Sequence, residues 1–548
     1  MRKKRKVVGA ALSPCVHVGG LDHFLRLCEE LGWNAVSLGP DVSMSTLFNA
    51  IRGEHPDMVA VSYRLTAEDA LPIFAQIKEQ AVLLDPPVRW VFGGTPPVAN
   101  AARDSGLFER AFDGTEAPGS VEAFLLGRSM HGGAEVYPDD LVSRVEWAAP
   151  FPLIRHHYGE PSLAATIAGA ARIAESGALD VLSIGPDQNA QEHFFRPGEM
   201  DPTQDGAGGV PVRCSEDLAI LYEATRCGNF PLLRCYSGTR DLIPWAEMSL
   251  KHIRNAWGAI PLCWYSVMDG RSTVPFPRAI EEKQAAMRFY AERGVPVEVN
   301  ESHQWSLRDA HDSLAVAMAF LAAYNAKAMG VRHYIVQMMH NTPPSTSPAM
   351  DLAKMLAKLE LISEIESPEF AILREVRAGI ASLPSHPERA KGHIAASATY
   401  SMALEPHILH VVGFTEGWHV VDAEALIESC NIARGAIHLA LQGAPDMRQD
   451  PTVRERQKHL VCEARVLLAA IRDLGEGAPD PWATPSVLSE AIRRGILDAP
   501  HFRGNPYLCG RAVTACLDGG WEAIDPVTRR PLSESARLAS LGVPGGGD

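Results

Sequence analysis

The hydrophobic positions of the chain group into short runs that are separated by longer amphipathic stretches. Between residues 6 and 128, apolar runs at 7–12, 35–38, 58–62, 90–92 and 110–113 predict five strands. The stretch 21–31, between the first two runs, carries its apolar residues at helical spacing. Short strands that alternate with helices are typical of a doubly wound parallel α/β sheet, which we expect for the first domain.

From residue 151 the same alternation resumes on a larger scale. Apolar runs at 181–185, 232–236, 260–265, 295–299, 333–338 and 408–412 are separated by helical stretches such as 279–293 and 314–329. Repeated strand–helix units over this length predict a (β/α)8 TIM barrel, with an active site at the carboxyl ends of its strands. The predicted organisation is therefore a first domain at 1–128, a Gly-, Pro- and Asp-rich linker at 129–150, a catalytic barrel at 151–480 and an extension packed on the barrel at 481–548.

Composition and charge narrow the class of protein. A net charge of -15 argues against a nucleic acid or an anionic membrane as partner. The basic start at residues 2–6 is followed by an apolar run too short for a signal or an anchor. Ten cysteines without any Cys-x-x-Cys pair indicate reduced thiols. We expect a cytoplasmic protein that acts on a small molecule, without a nucleic-acid or membrane partner, and that forms a homodimer.

Small residues and a histidine mark the ends of three predicted strands in the first domain. His17 follows the first strand and precedes Gly20, where the next helix opens. Ser62 ends the third strand, and Gly93 and Gly94 end the fourth. Because ligands of such sheets bind at the carboxyl ends of the strands, these five residues are candidates for one binding site.

This arrangement resembles the corrinoid-binding pattern Asp-x-His-x-x-Gly, Ser-x-Leu and Gly-Gly. The resemblance implies that His17 is a cobalt ligand and that the small residues leave room for the nucleotide arm of the cofactor. Two positions depart from the pattern: Cys15 stands where the aspartate would accept the second ring N–H, and Arg64 replaces the leucine. Since a thiol is a weaker acceptor than a carboxylate, we expect Cys15 to support His17 less strongly.

Four segments of the second domain, 179–187, 231–241, 272–276 and 495–501, resemble the catalytic subunit of glutamate mutase. That family comprises adenosylcobalamin-dependent carbon-skeleton isomerases. The resemblance implies a flavodoxin-like corrinoid-binding domain fused to a TIM barrel. It also implies that the protein is an adenosylcobalamin-dependent radical mutase acting on a small amino or carboxylic acid.

The substrate-binding residues of that family are not retained here. The family holds a dicarboxylate with arginines, but Tyr236 stands at one of those arginine positions, two residues after Arg234. The family also uses a glutamate near the fourth strand, where this chain has Ser266, with Asp269 and Arg271 nearby. We therefore expect a substrate other than glutamate.

Polar residues that follow the predicted strands are candidates for binding this substrate. Guanidinium groups bind carboxylates in bidentate fashion, although a structural ion pair is an equal alternative for each arginine. We assign catalytic roles to Arg234, Tyr236, Asp269, Arg271 and Glu301. We assign substrate contacts to Arg155, His303 and His340, and Glu416 is a further residue of the barrel rim.

Two other functions stay open from the sequence. A methylcobalamin-dependent methyltransferase usually carries a helical bundle before its corrinoid domain, whereas the predicted domain begins at residue 6 here, which favours the mutase. The loss of the family's arginine and glutamate would also suit a non-catalytic corrinoid sensor or carrier.

Overall fold

The computed structural model describes residues 5–116, 120–125, 130–131, 134–135, 137–236, 238 and 240–543. The chain divides into two compact units, Met1–Val136 and Tyr137–Asp548, and each is described by itself. Both have the α/β fold predicted from the sequence. Within the described ranges, no helix combines the length and the apolar character that crossing a bilayer requires.

The first unit alternates strands with helices. Its five-stranded sheet is parallel throughout and has the order β2-β1-β3-β4-β5. The elements are β1 (Lys6–Ala11), α1 (Gly19–Glu30), β2 (Asn34–Ser37), α2 (Met44–Glu54), β3 (Met58–Tyr63), α3 (Ala67–Ala81), β4 (Arg89–Gly94), α4 (Pro96–Asp104), β5 (Arg110–Phe112), α5 (Ser120–Leu125) and a short hairpin of β6 (Met130–His131) and β7 (Ala134–Glu135).

Two separate hydrophobic clusters cover the two faces of this sheet. Val7 packs with Leu21 and Leu25 of α1 on one face. Phe74 of α3 packs with residues such as Phe92 on the other. Helix α1 approaches closely because Gly9 lies beneath it, where a Cβ would come within 2.7 Å of a Leu25 methyl group. Helices on both faces leave the carboxyl ends of the strands as the open edge of the sheet.

The second unit contains an eight-stranded parallel sheet, β8 to β15, whose neighbour order runs from β10 through β9, β8 and β15 to β11. β10 and β11 are the two ends of this order. Between them, the Ala256 amide donates to the Leu233 carbonyl (2.9 Å), so the barrel is nearly closed. The elements are α6 (Leu141–Ala148), β8 (Leu153–Tyr158), α7 (Leu163–Ser176), β9 (Val181–Ile184), α8 (Gln188–His193), α9 (Ser215–Ala224), β10 (Leu232–Cys235), α10 (Leu242–Ile253), β11 (Gly258–Ile260), α11 (Phe276–Ala291), β12 (Val297–Val299), α12 (Ser302–Ser306), α13 (Asp312–Ala328), β13 (His333–His340), α14 (Pro348–Ser363), β14 (Ala371–Ala378), α15 (Pro387–Ser401), β15 (Ile408–His410), α16 (Ala423–Gly443), α17 (Pro451–Leu474), α18 (Pro485–Arg493), β16 (Thr514–Leu517), β17 (Gly520–Ala523) and α19 (Glu534–Ser540).

The barrel interior changes from apolar to charged along its axis. At the beginning of the strands, Leu153, Leu373 and Ile408 belong to one buried hydrophobic cluster. Two residues further along their strands, Arg155 and Glu375 are fully buried and form an ion pair. This polarity explains why the sequence pattern did not predict β8 and β14, since their inward positions are charged rather than apolar.

The predicted linker at 129–150 contains helix α6, which belongs to the second unit. Asp140 caps this helix by accepting the Ser143 amide (2.9 Å). Leu141 and Ala148 are buried with the apolar cluster at the beginning of the barrel strands. The sequence analysis did not predict this helix, because the Gly, Pro and Asp residues around it obscure its short run of apolar residues.

The segment after residue 480 contacts the barrel helices and loops. The Asn505 amide group donates to the Met268 carbonyl (3.0 Å), and the Thr514 hydroxyl donates to the Asp309 carbonyl (2.6 Å). The Trp521 amide, in the β16–β17 hairpin, donates to the Asp312 carboxylate (3.0 Å). These bonds tie the extension to the loops that precede α11 and α13 and to the first residue of α13.

Candidate functional site

A cavity of ≈ 600 Å³ opens at the carboxyl ends of β1, β3 and β4 in the first unit. All five strand-end residues singled out in the sequence line it: His17, Gly20, Ser62, Gly93 and Gly94. The remaining wall is largely apolar, as is typical of sites for heterocyclic ligands. The tertiary structure therefore brings these five residues to one cavity.

Ser62 places an unsatisfied hydroxyl in this cavity. Its Oγ atom is buried and has no hydrogen-bond partner within the described part of the chain. A buried polar atom without a partner costs about 1–3 kcal/mol, which a bound polar group would recover. Beside it, a Cβ added at Gly93 would meet nothing within 4 Å, so this backbone borders open space.

His17 lies on a loop that the sheet holds in place. The Leu12 amide donates to the Ser62 carbonyl, and the Asp41 amide donates to the Cys15 carbonyl (both 3.0 Å). The Cys15 thiol is buried and its Sγ lies 3.7 Å from Nδ1 of the exposed His17 ring. Cys15 thus contacts the imidazole rather than lining the cavity, and Nε2 is the ring nitrogen left for a metal.

A second cavity, of ≈ 550 Å³, lies at the carboxyl ends of the barrel strands β8, β9, β10 and β14. Its polar lining includes His157, Tyr236, Arg377, Glu416 and His419. Its rim includes exposed apolar side chains, namely those of Ile380 (41% exposed), Trp418 (43%) and Val420 (53%). This barrel pocket combines a few charged groups with an apolar mouth, the composition expected of a small-molecule site.

Arg377 provides the barrel pocket with a cation. Its Nε donates to the Ala378 carbonyl (3.3 Å), and within the described residues its guanidinium has no ion pair within 4 Å. Burial lowers the pKa of Arg377, while the negative charge of Glu416 opposes that shift. Since an arginine stays protonated in proteins, Arg377 offers hydrogen-bond donors to an anion that enters the pocket.

A layer of ion pairs lies beneath the pocket. The Arg234 guanidinium donates to Glu298 (2.9 Å), and the Trp257 indole donates to the same carboxylate (2.7 Å). Arg155 lies 3.5 Å from Glu298 and also pairs with Glu375. Burial raises the pKa of Glu375 to about 7 despite the neighbouring Arg155. Because Arg155 and Arg234 neutralise buried carboxylates, neither is free to bind a substrate anion.

Arg155 also defines the state of His157 at the pocket floor. The Arg155 guanidinium lies 3.3 Å from Nε2 of His157. Since a guanidinium can only donate, this Nε2 accepts and the ring proton resides on Nδ1. Burial, together with Arg155 and Arg234, lowers the pKa of His157 well below its usual value of 6.5. His157 is therefore a neutral hydrogen-bonding group near pH 7.

Residues 5–118 match the family model of the B12 binding domain. The match covers the first unit almost completely, including the loop of His17 and all the strand ends around the cavity. It indicates a cobalamin cofactor for this B12-binding domain. A comparison of the whole chain with curated proteins gives no match.

Solved structures with similar segments include a cobalamin-binding protein from Desulfitobacterium hafniense DCB-2, at 22% identity and a TM-score of 0.18, covering 20% of this chain and 53% of that one. The chain thus spans about half the length of that protein. The cobalamin-dependent S-adenosylmethionine radical enzyme OxsB is 11% identical, with a TM-score of 0.19, over 89% of this chain and 71% of its own. Oxaloacetate acetylhydrolase is 13% identical, with a TM-score of 0.30, over 62% of this chain and 97% of its own.

The residues of the B12-binding domain fit a cobalamin. The exposed imidazole of His17 would supply a nitrogen ligand to the cobalt through Nε2. The cavity with its unsatisfied Ser62 hydroxyl and the bare backbone at Gly93 suits the nucleotide arm. Gly94 has a different role, because a Cβ there would lie 2.6 Å from the Tyr63 carbonyl oxygen and clash within the domain itself.

Only one of the substrate-site residues predicted as catalytic lines the barrel pocket. Tyr236 does, and its hydroxyl accepts a hydrogen bond from the Gln191 amide (3.0 Å). Asp269 instead accepts the backbone amides of its own loop, including that of Ser266 (3.1 Å). Arg271 is exposed on the same loop and lies over the Tyr265 ring (5.1 Å). Ser237 and Thr239, in the segment similar to glutamate mutase, lie outside the described residues.

Three other predicted residues also lie outside the pocket lining. The Glu301 carboxylate accepts the Leu262 and Cys263 amides (2.8 and 3.0 Å) and so stabilises a turn. His303 is buried. Its burial, and to a smaller extent the positive charge of Arg377, lower its pKa to about 3. On β13, Gln337 and Met339 point into the barrel, as do their partners Glu375 and Arg377 on β14. His340 therefore points away from the barrel interior, and its Nε2 lies 3.2 Å from the Ser401 hydroxyl.

The structure adds residues to the pocket that the sequence analysis did not assign. His157 and Arg377 lie on β8 and β14, the two strands that the hydrophobic pattern did not predict. The alternation of Glu375 and Arg377 around Val376 is the signal that could have identified a strand with a charged inward face. Trp418 lies in the loop after β15, next to the predicted rim residue Glu416.

Proposed function

We propose that the protein is an adenosylcobalamin-dependent mutase that rearranges a small amino or carboxylic acid. The observation that carries this proposal is the barrel pocket with its unpaired Arg377, in a chain that also holds a B12-binding domain. The sequence resemblance to glutamate mutase supports the radical mutase over methyl transfer. The pocket lining also supports a substrate other than glutamate.

Arg377 binds the substrate carboxylate in this proposal. A guanidinium can donate two parallel hydrogen bonds to a carboxylate, which fixes both the position and the orientation of the acid. Arg234 and Arg155, also in the barrel interior, are already paired with Glu298 and Glu375. One free guanidinium therefore favours a substrate with a single carboxylate at this position.

His157 and Tyr236 orient the uncharged part of the substrate. Both stay neutral near pH 7, since burial lowers the pKa of His157 and raises that of Tyr236. His157 donates through Nδ1, because Nε2 is occupied by Arg155. Neutral donors can bind a carbonyl or hydroxyl group without transferring a charge to it.

The apolar rim of Ile380, Trp418 and Val420 excludes water once a substrate fills the pocket. When bound, adenosylcobalamin would supply radical chemistry, which requires such protection from side reactions. The protein's own contribution is positioning and shielding rather than acid–base catalysis.

The test is reconstitution of the full chain with adenosylcobalamin, followed by electron paramagnetic resonance in the presence of a panel of amino and carboxylic acids. The proposal expects a cob(II)alamin-coupled radical signal with at least one acid and an isomerised product. Arg377→Gln should raise KM for that acid by about 10- to 100-fold, the size of a lost charged hydrogen bond. Arg172→Gln, which removes an exposed pair with Glu424, is the matched control.

Two outcomes would contradict the proposal. Methyl transfer from methylcobalamin without any radical signal would favour the methyltransferase. Cobalamin binding without turnover of any acid, and with Arg377→Gln indistinguishable from the unmodified protein in binding those acids, would favour a non-catalytic carrier.

A further inference from the structure

We propose that Arg64 binds the phosphodiester of the cofactor's nucleotide arm, as a charged subsite of the B12-binding domain. The inference rests on the cobalamin part of the proposed function and is independent of the reaction. It concerns a position where this chain departs from the corrinoid-binding pattern, which has leucine there.

The backbone places Arg64 on the cavity side of the sheet. Ala60 and Ser62 of β3 are two residues apart, and Arg64 continues the same alternation just beyond the strand. Residues two apart on an extended chain point to the same face. All three line the cavity of the B12-binding domain. Ala60 and Ser62 are buried, whereas Arg64 is exposed, so Arg64 lies nearest the opening.

Arg64 is a free cation in this cavity. Among the described lining residues it is the one arginine or lysine. Of the three described acids that line the same cavity, Asp113 and Glu116 already have partners, and no hydrogen bond or ion pair joins the third, Glu122, to Arg64. Asp113 pairs with Arg103 (2.6 Å), and Glu116 accepts the amides of Asp113 and Gly114 (2.8 and 2.9 Å). No hydrogen bond or ion pair joins Arg64 to another described residue, so its guanidinium is available to a ligand.

The chemistry of the cofactor supplies one matching group. The corrin side chains of cobalamin end in neutral amides, whereas its nucleotide arm carries a single phosphodiester with a permanent negative charge. A guanidinium fork matches two phosphate oxygens, and a leucine offers them nothing. The unsatisfied Ser62 hydroxyl lies deeper than Arg64. This order suits an arm that places its heterocycle inward and its phosphate toward the opening.

The test compares cobalamin with cobinamide, the corrinoid that lacks the nucleotide arm, in absorbance titrations of the full chain. Arg64→Leu should weaken cobalamin binding about tenfold, the effect of removing a charge-assisted hydrogen bond at a partly exposed site, and leave cobinamide binding unchanged. Arg64→Lys should retain part of the affinity. Arg26→Gln, which removes an exposed arginine of α1 outside the cavity, is the control.

A second measurement is the dependence on salt. Cobalamin binding to the unmodified protein should weaken between low and high ionic strength, and Arg64→Leu should remove most of that dependence. Equal losses for cobalamin and cobinamide, or no loss for either, would overturn the subsite. Cobalamin binding that depends on Arg64 in a protein without mutase activity would refute the proposed function alone. A protein that binds no cobalamin would refute both.

Discussion

The two adjacent glycines at the end of β4 should respond to the same substitution in opposite ways. A Cβ at Gly94 would lie 2.6 Å from the Tyr63 carbonyl oxygen and 2.7 Å from Cε1 of Phe92. Both contacts are far inside van der Waals separation, and one atom belongs to the backbone of the neighbouring strand. We expect Gly94→Ala to destabilise the B12-binding domain by about 1–3 kcal/mol, the usual range for overpacking.

Gly93→Ala should leave the domain as stable as before or stabilise it by about 0.4–1 kcal/mol, because alanine restricts the unfolded chain. The added methyl group meets no atom within 4 Å, since it projects into the open cavity. A larger side chain, in Gly93→Leu, should instead occupy space needed by the nucleotide arm. We expect cobalamin affinity to fall about tenfold or more while stability is retained.

The assay pairs two measurements on the full chain. Hydrogen exchange of peptides from residues 58–63 and 89–94 reports local stability without assuming that the two units unfold together. Absorbance titration with hydroxocobalamin reports binding. Equal losses of protection in Gly93→Ala and Gly94→Ala would refute the steric reasoning. Cobalamin affinity unchanged in Gly93→Leu would refute the position of the nucleotide arm.

Other substitutions test the axial ligand, the buried histidines and the ionic layer. His17→Ala should remove the axial-nitrogen splitting from the electron paramagnetic resonance spectrum of bound cob(II)alamin, whereas His23→Ala, at another residue lining the cavity, should retain it. Burial lowers the pKa of His340 to about 3, so the folded state stays neutral while an unfolded histidine binds a proton below about pH 6.5. Because of this difference, the free energy of unfolding falls as pH falls from 6.5 toward 3, by about 2 kcal/mol at pH 5. His340→Gln should flatten this pH dependence, measured by urea unfolding at several pH values. Arg234→Met leaves Glu298 without its closest cation and should destabilise the barrel by about 3–5 kcal/mol in urea unfolding, and addition of Glu298→Gln should restore part of that loss.

The grouping of residues at the cavity of the B12-binding domain could be predicted because these residues follow strand ends. A hydrophobic run identifies each strand locally, and parallel strands bring their carboxyl ends to one edge whatever the rest of the chain does. His17, Ser62 and Gly93 could therefore be placed together from their positions after three runs. The thiol of Cys15 against the His17 ring also follows from its place two residues earlier on the same loop.

The barrel pocket could not be predicted in the same way. Its strands β8 and β14 carry charges inward, so the hydrophobic pattern that marks a strand is missing from them. Arg155 and Arg377 are both arginines on barrel strands, yet one is neutralised by buried carboxylates and the other is free. That difference depends on which strands become neighbours when the barrel closes. The pattern along the chain determined the two α/β folds and the residues that meet at the cavity of the B12-binding domain, whereas only the tertiary structure decided which charges of the barrel pocket remain unpaired, because ion pairing joins residues more than 200 positions apart.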